Sequence, residues 1–292
     1  MFSEKKFTAN AVLINYAEGP ASGPPLVMLH GIPGRWQEFL PILPHLMLQW
    51  HISALDFRGQ GNSGRVAGQY HSSFYSKDVV SFLQHQVTEP AIIFGNSAGG
   101  LIALDVAAKD PGQVKALILG DSPIDMEWLR TWMTSDGFKA HFSAERAIAA
   151  SNQSINEMMK DLAIIPVTHE GDDQAIYGDL PGIDQTHLRA MATTLNHLDP
   201  DVLEYHAEGR AEEYMQGFDL DEILPKIECP VLLIQANPEL GGLMTDRSVK
   251  NALARLKCGY HVLIKGASHD LGMENWETGP LLRALTVFLD SL

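Results

Sequence analysis

The 292-residue chain predicts an α/β fold, a mostly parallel, doubly wound sheet with helices on both faces and one helical insertion. Three observations point to it. Apolar runs of strand length alternate with stretches of helical periodicity. The alternation breaks once, from about Pro123 to Lys226, where the chain turns helix-like, Met-rich and acidic. At one strand-to-helix junction stands Gly95-Asn96-Ser97-Ala98-Gly99, a G-x-S-x-G pattern. With 45% hydrophobic residues the chain can bury a full core without a disulfide or metal staple.

Buried parallel strands read as continuous apolar runs, and these occur at Leu26–Leu29, Ile52–Leu55, Ala91–Phe94, Val114–Leu119, Val231–Ile234 and Tyr260–Ile264. Ala11–Ile14 is expected as an edge strand. Helical crossovers are expected at Trp36–Leu48, Ser72–Gln86, Leu101–Lys109, Asp246–Leu256 and Leu281–Leu292. Residues 1–122 and 227–292 then form the core domain and 123–226 a helical cap over the carboxyl edge of the sheet. The segment Glu228-Cys229-Pro230 restarts the sheet.

The net charge of −15 is localised. Residues 121–228 hold 22 acids and 7 bases, while the remainder holds 14 of each. Such a surface repels phosphate backbones and anionic membranes, so neither nucleic acid nor membrane is an expected partner. A small, neutral and apolar substrate fits better, and self-association is compatible with everything in the sequence. Cys229 and Cys258 match no ligand spacing and read as buried free thiols of a reducing compartment. The N-terminus lacks a signal-peptide core and no run approaches the ~20 apolar residues of a membrane span, so a soluble cytoplasmic protein is expected.

Chemistry concentrates beyond the carboxyl ends of the predicted strands. Ser97 stands at a tight turn that pushes its hydroxyl outward, and the helix that follows aims free N–H groups at whatever the serine attacks. Gly95 and Gly99 flank it because the turn leaves little room for side chains. After Leu29 comes His30-Gly31-Ile32-Pro33-Gly34. Pro33 has no N–H, which makes the Ile32 N–H the natural donor of that turn, and with the Ala98 N–H it would form a two-donor oxyanion hole. His30 is expected to hold the loop by hydrogen bonds. The loop Asp56-Phe57-Arg58-Gly59-Gln60-Gly61-Asn62-Ser63 carries glycines and an Asp/Arg pair suited to loop fixing, and it opens no helix suited to phosphate binding.

With these three motifs the chain resembles the α/β-hydrolase family from roughly Ala11 to Leu292, with 123–226 corresponding to the variable cap. The resemblance implies a general-base histidine after the last strand. His269, in Gly266-Ala267-Ser268-His269-Asp270, is the match, and His261 lies within the strand itself. It also implies an acid three residues beyond a glycine that closes the seventh strand. Here Gln235-Ala236-Asn237-Pro238-Glu239 puts alanine at the glycine and Glu239 at the acid, in the order Ser97, Glu239, His269. Asp121, at the end of the Val114 strand, and Asp246, further along the Glu239 loop, are the competitors.

The expected pocket is apolar. Ile32 and Trp36 follow the oxyanion turn, Met126, Trp128, Trp132 and Met133 open the cap, and Leu243, Met244 and Leu271 sit near acid and base. Neither a cofactor nor a metal is expected. The default function is hydrolysis of a carboxylic ester or lactone through an acyl-enzyme. Carbon–carbon bond hydrolysis of dienoate-like ketones gains a little from the resemblance of the Gly95–Gly100 elbow to that subgroup, while an acidic cap with few arginines counts against its anionic substrates, and a cofactor-free perhydrolase or haloperoxidase would use the same residues. A ligand-binding receptor on a hydrolase scaffold is the alternative of another class. Epoxide and haloalkane hydrolysis are disfavoured because those relatives attack with aspartate.

Overall fold

A computed structural model of the chain describes residues 2–167, 175–180 and 183–292. Eight strands form one sheet: β1 (Ser3–Ala9), β2 (Val12–Glu18), β3 (Pro25–Leu29), β4 (His51–Leu55), β5 (Ala91–Asn96), β6 (Val114–Gly120), β7 (Val231–Ala236) and β8 (Gly259–Ile264). Their spatial order is β1-β2-β4-β3-β5-β6-β7-β8. The first two strands pair antiparallel with each other, β2 is antiparallel to β4, and every later pair is parallel. The helices are α1 (Leu43–Leu46), α2 (Ser72–Gln86), α3 (Ala98–Lys109), α4 (Met126–Met133), α5 (Asp136–Ala149), α6 (Ile155–Ala163), α7 (Gln185–Asn196), α8 (Glu204–Ala207), α9 (Ala211–Tyr214), α10 (Leu220–Ile223), α11 (Asp246–Leu253) and α12 (Gly279–Leu289).

Strand alternation sorts the core into two layers. Val27, Leu29, Ile93, Leu117, Leu119 and Leu233 point to the face covered by α2, α3 and α11. Their neighbours Leu26, Met28, Ile92, Ile118 and Leu232 point to the face covered by α12 and the 36–46 segment. Both faces of the central strands are therefore dry, which is why those strands read as unbroken apolar runs.

Three expectations need correction at the margins. The edge strand expected at Ala11–Ile14 is one arm of a hairpin whose other arm, β1, is Lys-rich and mostly exposed, so it carries no apolar signal. The turn falls at Asn10 and Ala11, both at positive φ (48° and 65°). The helix expected over Trp36–Leu48 is a 3₁₀ turn at Trp36–Phe39 and the single turn of α1, because Pro41 and Pro44 each remove a backbone donor. Finally, β8 is a sheet edge with Tyr260 and Leu263 exposed, so only part of it is core.

Between β6 and β7 the described residues hold α4 to α10 and only one isolated bridge, Pro166 with Ile176. This insertion is tied to the carboxyl edge of the sheet. Asp199 donates its N–H to Gly59 O (2.7 Å) and accepts the Tyr70 hydroxyl (2.6 Å), and Arg247 pairs with Asp125 at 2.6 Å.

The loops at that edge are held by buried polar groups. His30 Nδ1 faces Gly31 O at 2.7 Å while Nε2 accepts the Phe57 N–H at 3.1 Å, so the ring is a neutral clamp between two loops. Burial lowers its pKa to about 4, against the Gly31 carbonyl that works the other way. Asp56 accepts from Trp36 N, Asn15 Nδ2 and Asn62 N. Arg58 makes a two-pronged pair with Asp78, both bonds 2.7 Å, with neither side chain more than 3% exposed.

Glu38 lies beneath the Gly31 turn. Burial, then the charge of Glu274, push its carboxyl up to about 8, outweighing the Gly31 N–H and the Asn96 side chain. Its Oε1 and Asn96 Oδ1 are both buried without a partner, an arrangement that a proton on Glu38 relieves.

Two stability predictions result. Arg58→Met strands the Asp78 charge and should lower the unfolding free energy by roughly 3–5 kcal/mol in a urea titration; a loss under about 1 kcal/mol contradicts the buried pair. Glu38 binds a proton in the folded state between its ordinary 4.5 and about 8, so its contribution to stability falls as pH rises through that window. Glu38→Gln cannot ionise and should gain on the wild type between about pH 5 and pH 8. A stability difference independent of pH would contradict this.

Candidate active site

Ser97 sits between β5 and α3 at φ 53° and ψ −123°, a conformation that costs a side-chain-bearing residue energy and persists only when its surroundings enforce it. The enforcement is local. Ser97 donates its N–H to Gly120 O at 2.7 Å, fixing the turn to β6. A Cβ on Gly95 would collide with the Gly99 carbonyl, and one on Gly99 with the carbonyls of Leu29 and His30. The glycines permit the close approach, and the serine hydroxyl is the part of the turn left facing outward.

Asp121, the residue after β6, is fully buried and likewise at positive φ (37°). Its carboxylate is cupped by backbone. Oδ1 accepts Ala236 N at 3.0 Å and Met244 N at 3.2 Å, and Oδ2 accepts Leu243 N at 2.7 Å. The same Oδ2 lies 2.7 Å from His269 Nδ1, and His269 Nε2 lies 3.0 Å from Ser97 Oγ. A buried carboxylate facing three N–H donors and an imidazole holds Nδ1 protonated and leaves the Nε2 lone pair toward the serine. The His269 loop is anchored by Asn237 N donating to Ala267 O (2.9 Å) and by Leu271 N donating to Ser268 O (2.9 Å).

The acid position therefore differs from the one expected. Asn237 and Pro238 open a 3₁₀ turn, Pro238–Leu240, in which the Asn237 side chain accepts the Glu239 N–H, and Glu239 is exposed instead of reaching His269. Asp246 is elsewhere too, accepting Gln235 Nε2 at 2.9 Å in the first turn of α11. Adjacent strand ends explain the exchange. β6 and β7 are neighbours, so an acid after either one starts near the same point, and the backbone N–H groups around β7 and its loop favour the carboxylate arriving from β6.

Ile32, Ser97, Ala98 and His269 line one cavity of about 730 Å³. The Ala98 N–H is in the first helical turn, where donors lack intrahelical partners, and the Ile32 N–H has no backbone acceptor among the described residues. Both residues expected to supply the oxyanion donors thus line the cavity that holds Ser97. The insertion supplies the other wall, including Leu129, Trp132, Met133, Phe138 and Phe142.

Of the apolar residues expected to bind substrate, only Trp132, Met133, Leu243 and Ile32 reach this cavity. Trp36 packs in the opposite core layer and donates its indole N–H to Glu4. Trp128 stacks on Trp132, ring centres 5.0 Å apart, and stays outside the lining. Met126, Met244 and Leu271 also lie off the cavity, the last two buried in core. Polar lining residues were missed: His141, Tyr177, His206 and Tyr214. A signal existed for one group, because Phe138, His141, Phe142 and Glu145 recur at i, i+3, i+4 and i+7 along α5.

Two of the cavity's polar groups have partners of their own. His141 Nε2 lies 3.3 Å from Glu145 Oε1, and Tyr177 shares a 2.5 Å hydrogen bond with His187 Nε2, whose Nδ1 faces Glu274. Burial pulls the His141 pKa down, but the bond to Glu145 and its charge prevail and raise it.

Comparison with known proteins bears on the fold and the family. A protein named as a carbamate hydrolase, RutD, of Azorhizobium caulinodans is 23% identical over 226 residues, 77% of each chain. The 2-hydroxymuconate semialdehyde hydrolase of Pseudomonas sp. strain CF600 is 36% identical over 102 residues, 34% of this chain and 36% of that protein. Other alignments are similarly partial. The match to the 30 kDa subunit of magnesium chelatase from Rhodobacter capsulatus, 34% identical, spans 32% of this chain and a third (33%) of the relative's length. Among solved structures, an E-2-(acetamidomethylene)succinate hydrolase superposes with a TM-score of 0.71 at 20% identity, covering 99% of this chain and 100% of that one. A thermophilic esterase from Thermogutta terrifontis superposes with a TM-score of 0.71 at 18% identity, covering 99% and 98%. The family model for the alpha/beta hydrolase fold matches residues 24–275, and with the strand order, elbow and serine–histidine–aspartate geometry in place, the chain belongs to the α/β-hydrolase family.

Proposed function

We propose that the chain hydrolyses a carboxylic ester or lactone through an acyl-enzyme on Ser97. The observation that carries this reading is the continuous line Ser97 Oγ, His269 Nε2, His269 Nδ1, Asp121 Oδ2, with links of 3.0 and 2.7 Å. With Nδ1–H donated to Asp121, His269 takes the Ser97 proton at Nε2 as the oxygen attacks the carbonyl. The Ile32 and Ala98 N–H groups receive the negative charge that develops on the carbonyl oxygen. His269 then passes the proton to the leaving alkoxide, and a water activated by the same nitrogen releases the acid. Asp121 stays ionised throughout and stabilises the imidazolium.

The carbon–carbon reading is favoured by the similarity to 2-hydroxymuconate semialdehyde hydrolase. Against it stands the lining of the cavity. No lysine or arginine is among its described residues, so a carboxylate-bearing dienoate has no permanent cation to meet there, and His141 is already paired with Glu145.

Ser97→Ala should retain the far-UV circular dichroism of the wild type, lose fluorophosphonate labelling and lower nitrophenyl-ester turnover by on the order of 10³ or more. Labelling that persists at another residue would contradict the assignment. Asp121→Asn should cost on the order of 10³–10⁴ in kcat because His269 loses the partner that fixes its tautomer. Glu239→Gln should stay within about twofold of the wild type, as expected of a surface residue away from the reaction. The reverse ranking would return the acid to the β7 loop.

A further inference from the structure

We infer that the insertion wall of the cavity holds a second subsite, built for an uncharged hydroxyl on a planar ring of the substrate. The proposal rests on reading the cavity as the substrate site of a serine hydrolase, and names the chemistry of one substrate group.

Tyr214 is 4% exposed, lines the cavity, and its hydroxyl has no hydrogen-bond partner among the described residues. His206, 6% exposed, lines the same wall with Nδ1 buried and unpartnered. The two rings are 4.6 Å apart, centre to centre, at 61°. An unpaired buried polar group costs folding free energy unless an occupant completes it, and here one such nitrogen stands beside a cavity-lining hydroxyl. Burial lowers His206 to about 4, the Val202 carbonyl opposing, so the ring is neutral, with its N–H toward that carbonyl and one nitrogen left as an acceptor. Burial also holds Tyr214 protonated, a donor.

A substrate hydroxyl can accept from Tyr214 and donate to a neutral imidazole at the same time. A carboxylate can only accept, so it leaves the imidazole acceptor without a donor. The flanking surface selects the rest of the ligand. Phe138 and Phe142 lie 4.4 Å apart and His206 is 5.1 Å from Phe142, an aromatic wall that suits a flat ring.

The test is calorimetric binding to the Ser97→Ala protein of three amides that cannot turn over: phenylpropanamide, its para-hydroxyl analogue and its para-carboxylate analogue. The hydroxyl analogue should bind about tenfold more tightly than the parent and the carboxylate more weakly than the parent. In Ser97→Ala/Tyr214→Phe, which removes one oxygen and keeps the ring, the hydroxyl-to-parent ratio should fall to about one. Equal affinity of parent and hydroxyl analogue, a carboxylate that binds best, no measurable binding of any of the three, or a ratio that survives Tyr214→Phe would each overturn the subsite. The ligand comparison in Ser97→Ala stands even where the double variant fails to fold. Ester turnover by the wild type is read separately. Its absence alongside the expected binding order would sink the proposed reaction and leave the subsite, while normal turnover with equal affinities would do the opposite.

Discussion

The site depends on the satisfaction of one buried carboxylate. Asp121 is removed from water entirely, and an ionised group so placed is tolerable only if hydrogen bonds replace its hydration. Three backbone N–H groups, from Ala236, Leu243 and Met244, and the His269 ring do so. Each of those donors belongs to a different part of the chain from Asp121 itself. The carboxylate thereby pins the end of β6, the end of β7, the loop leading to α11 and the loop after β8 to a single point. Backbone amides cannot rotate away as side chains can, so His269 is presented with a partner already oriented.

The second constraint is the turn at Ser97. Its unusual dihedrals are stabilised by the 2.7 Å bond to Gly120 O and by glycines that let the turn press on the ends of β3 and α3. Gly120 is also the residue before Asp121, so nucleophile and acid are coupled through one peptide group. Behind them the His30 clamp, the Asp56 hub and the Arg58–Asp78 pair hold the loops that carry Ile32. The insertion then lines the space above with aromatic rings and a few polar groups.

The central strands were legible because both faces are dry, and dry strands write themselves as apolar runs. Ser97 and His269 were legible because each follows a strand at a point where the family's motifs are local in sequence. Asp121 was visible as an acid at the end of an apolar run but lost to Glu239, since spacing along the chain cannot show which of two neighbouring strand ends the backbone donors will cup. Trp36, Met244 and Leu271 were assigned to the pocket for lying near its motifs, yet strand and turn geometry send them into core layers. The hairpin arm β1 carries an exposed, charged pattern that resembles a loop. His206 and Tyr214 lie on short helices, four residues each, with too few turns to display a periodicity.

Central to the account is the hydrogen bond between His269 Nδ1–H and Asp121, because it sets the tautomer from which every proposed proton transfer starts. It is measured most directly by NMR of protein labelled with ¹⁵N-histidine, the His269 signals being assigned by their loss in His269→Asn. The account predicts a protonated Nδ1 with a strongly downfield proton and an unprotonated Nε2 at neutral pH, the downfield proton vanishing in Asp121→Asn and persisting in Glu239→Gln. A proton residing on Nε2, or a downfield resonance that survives Asp121→Asn, would contradict it.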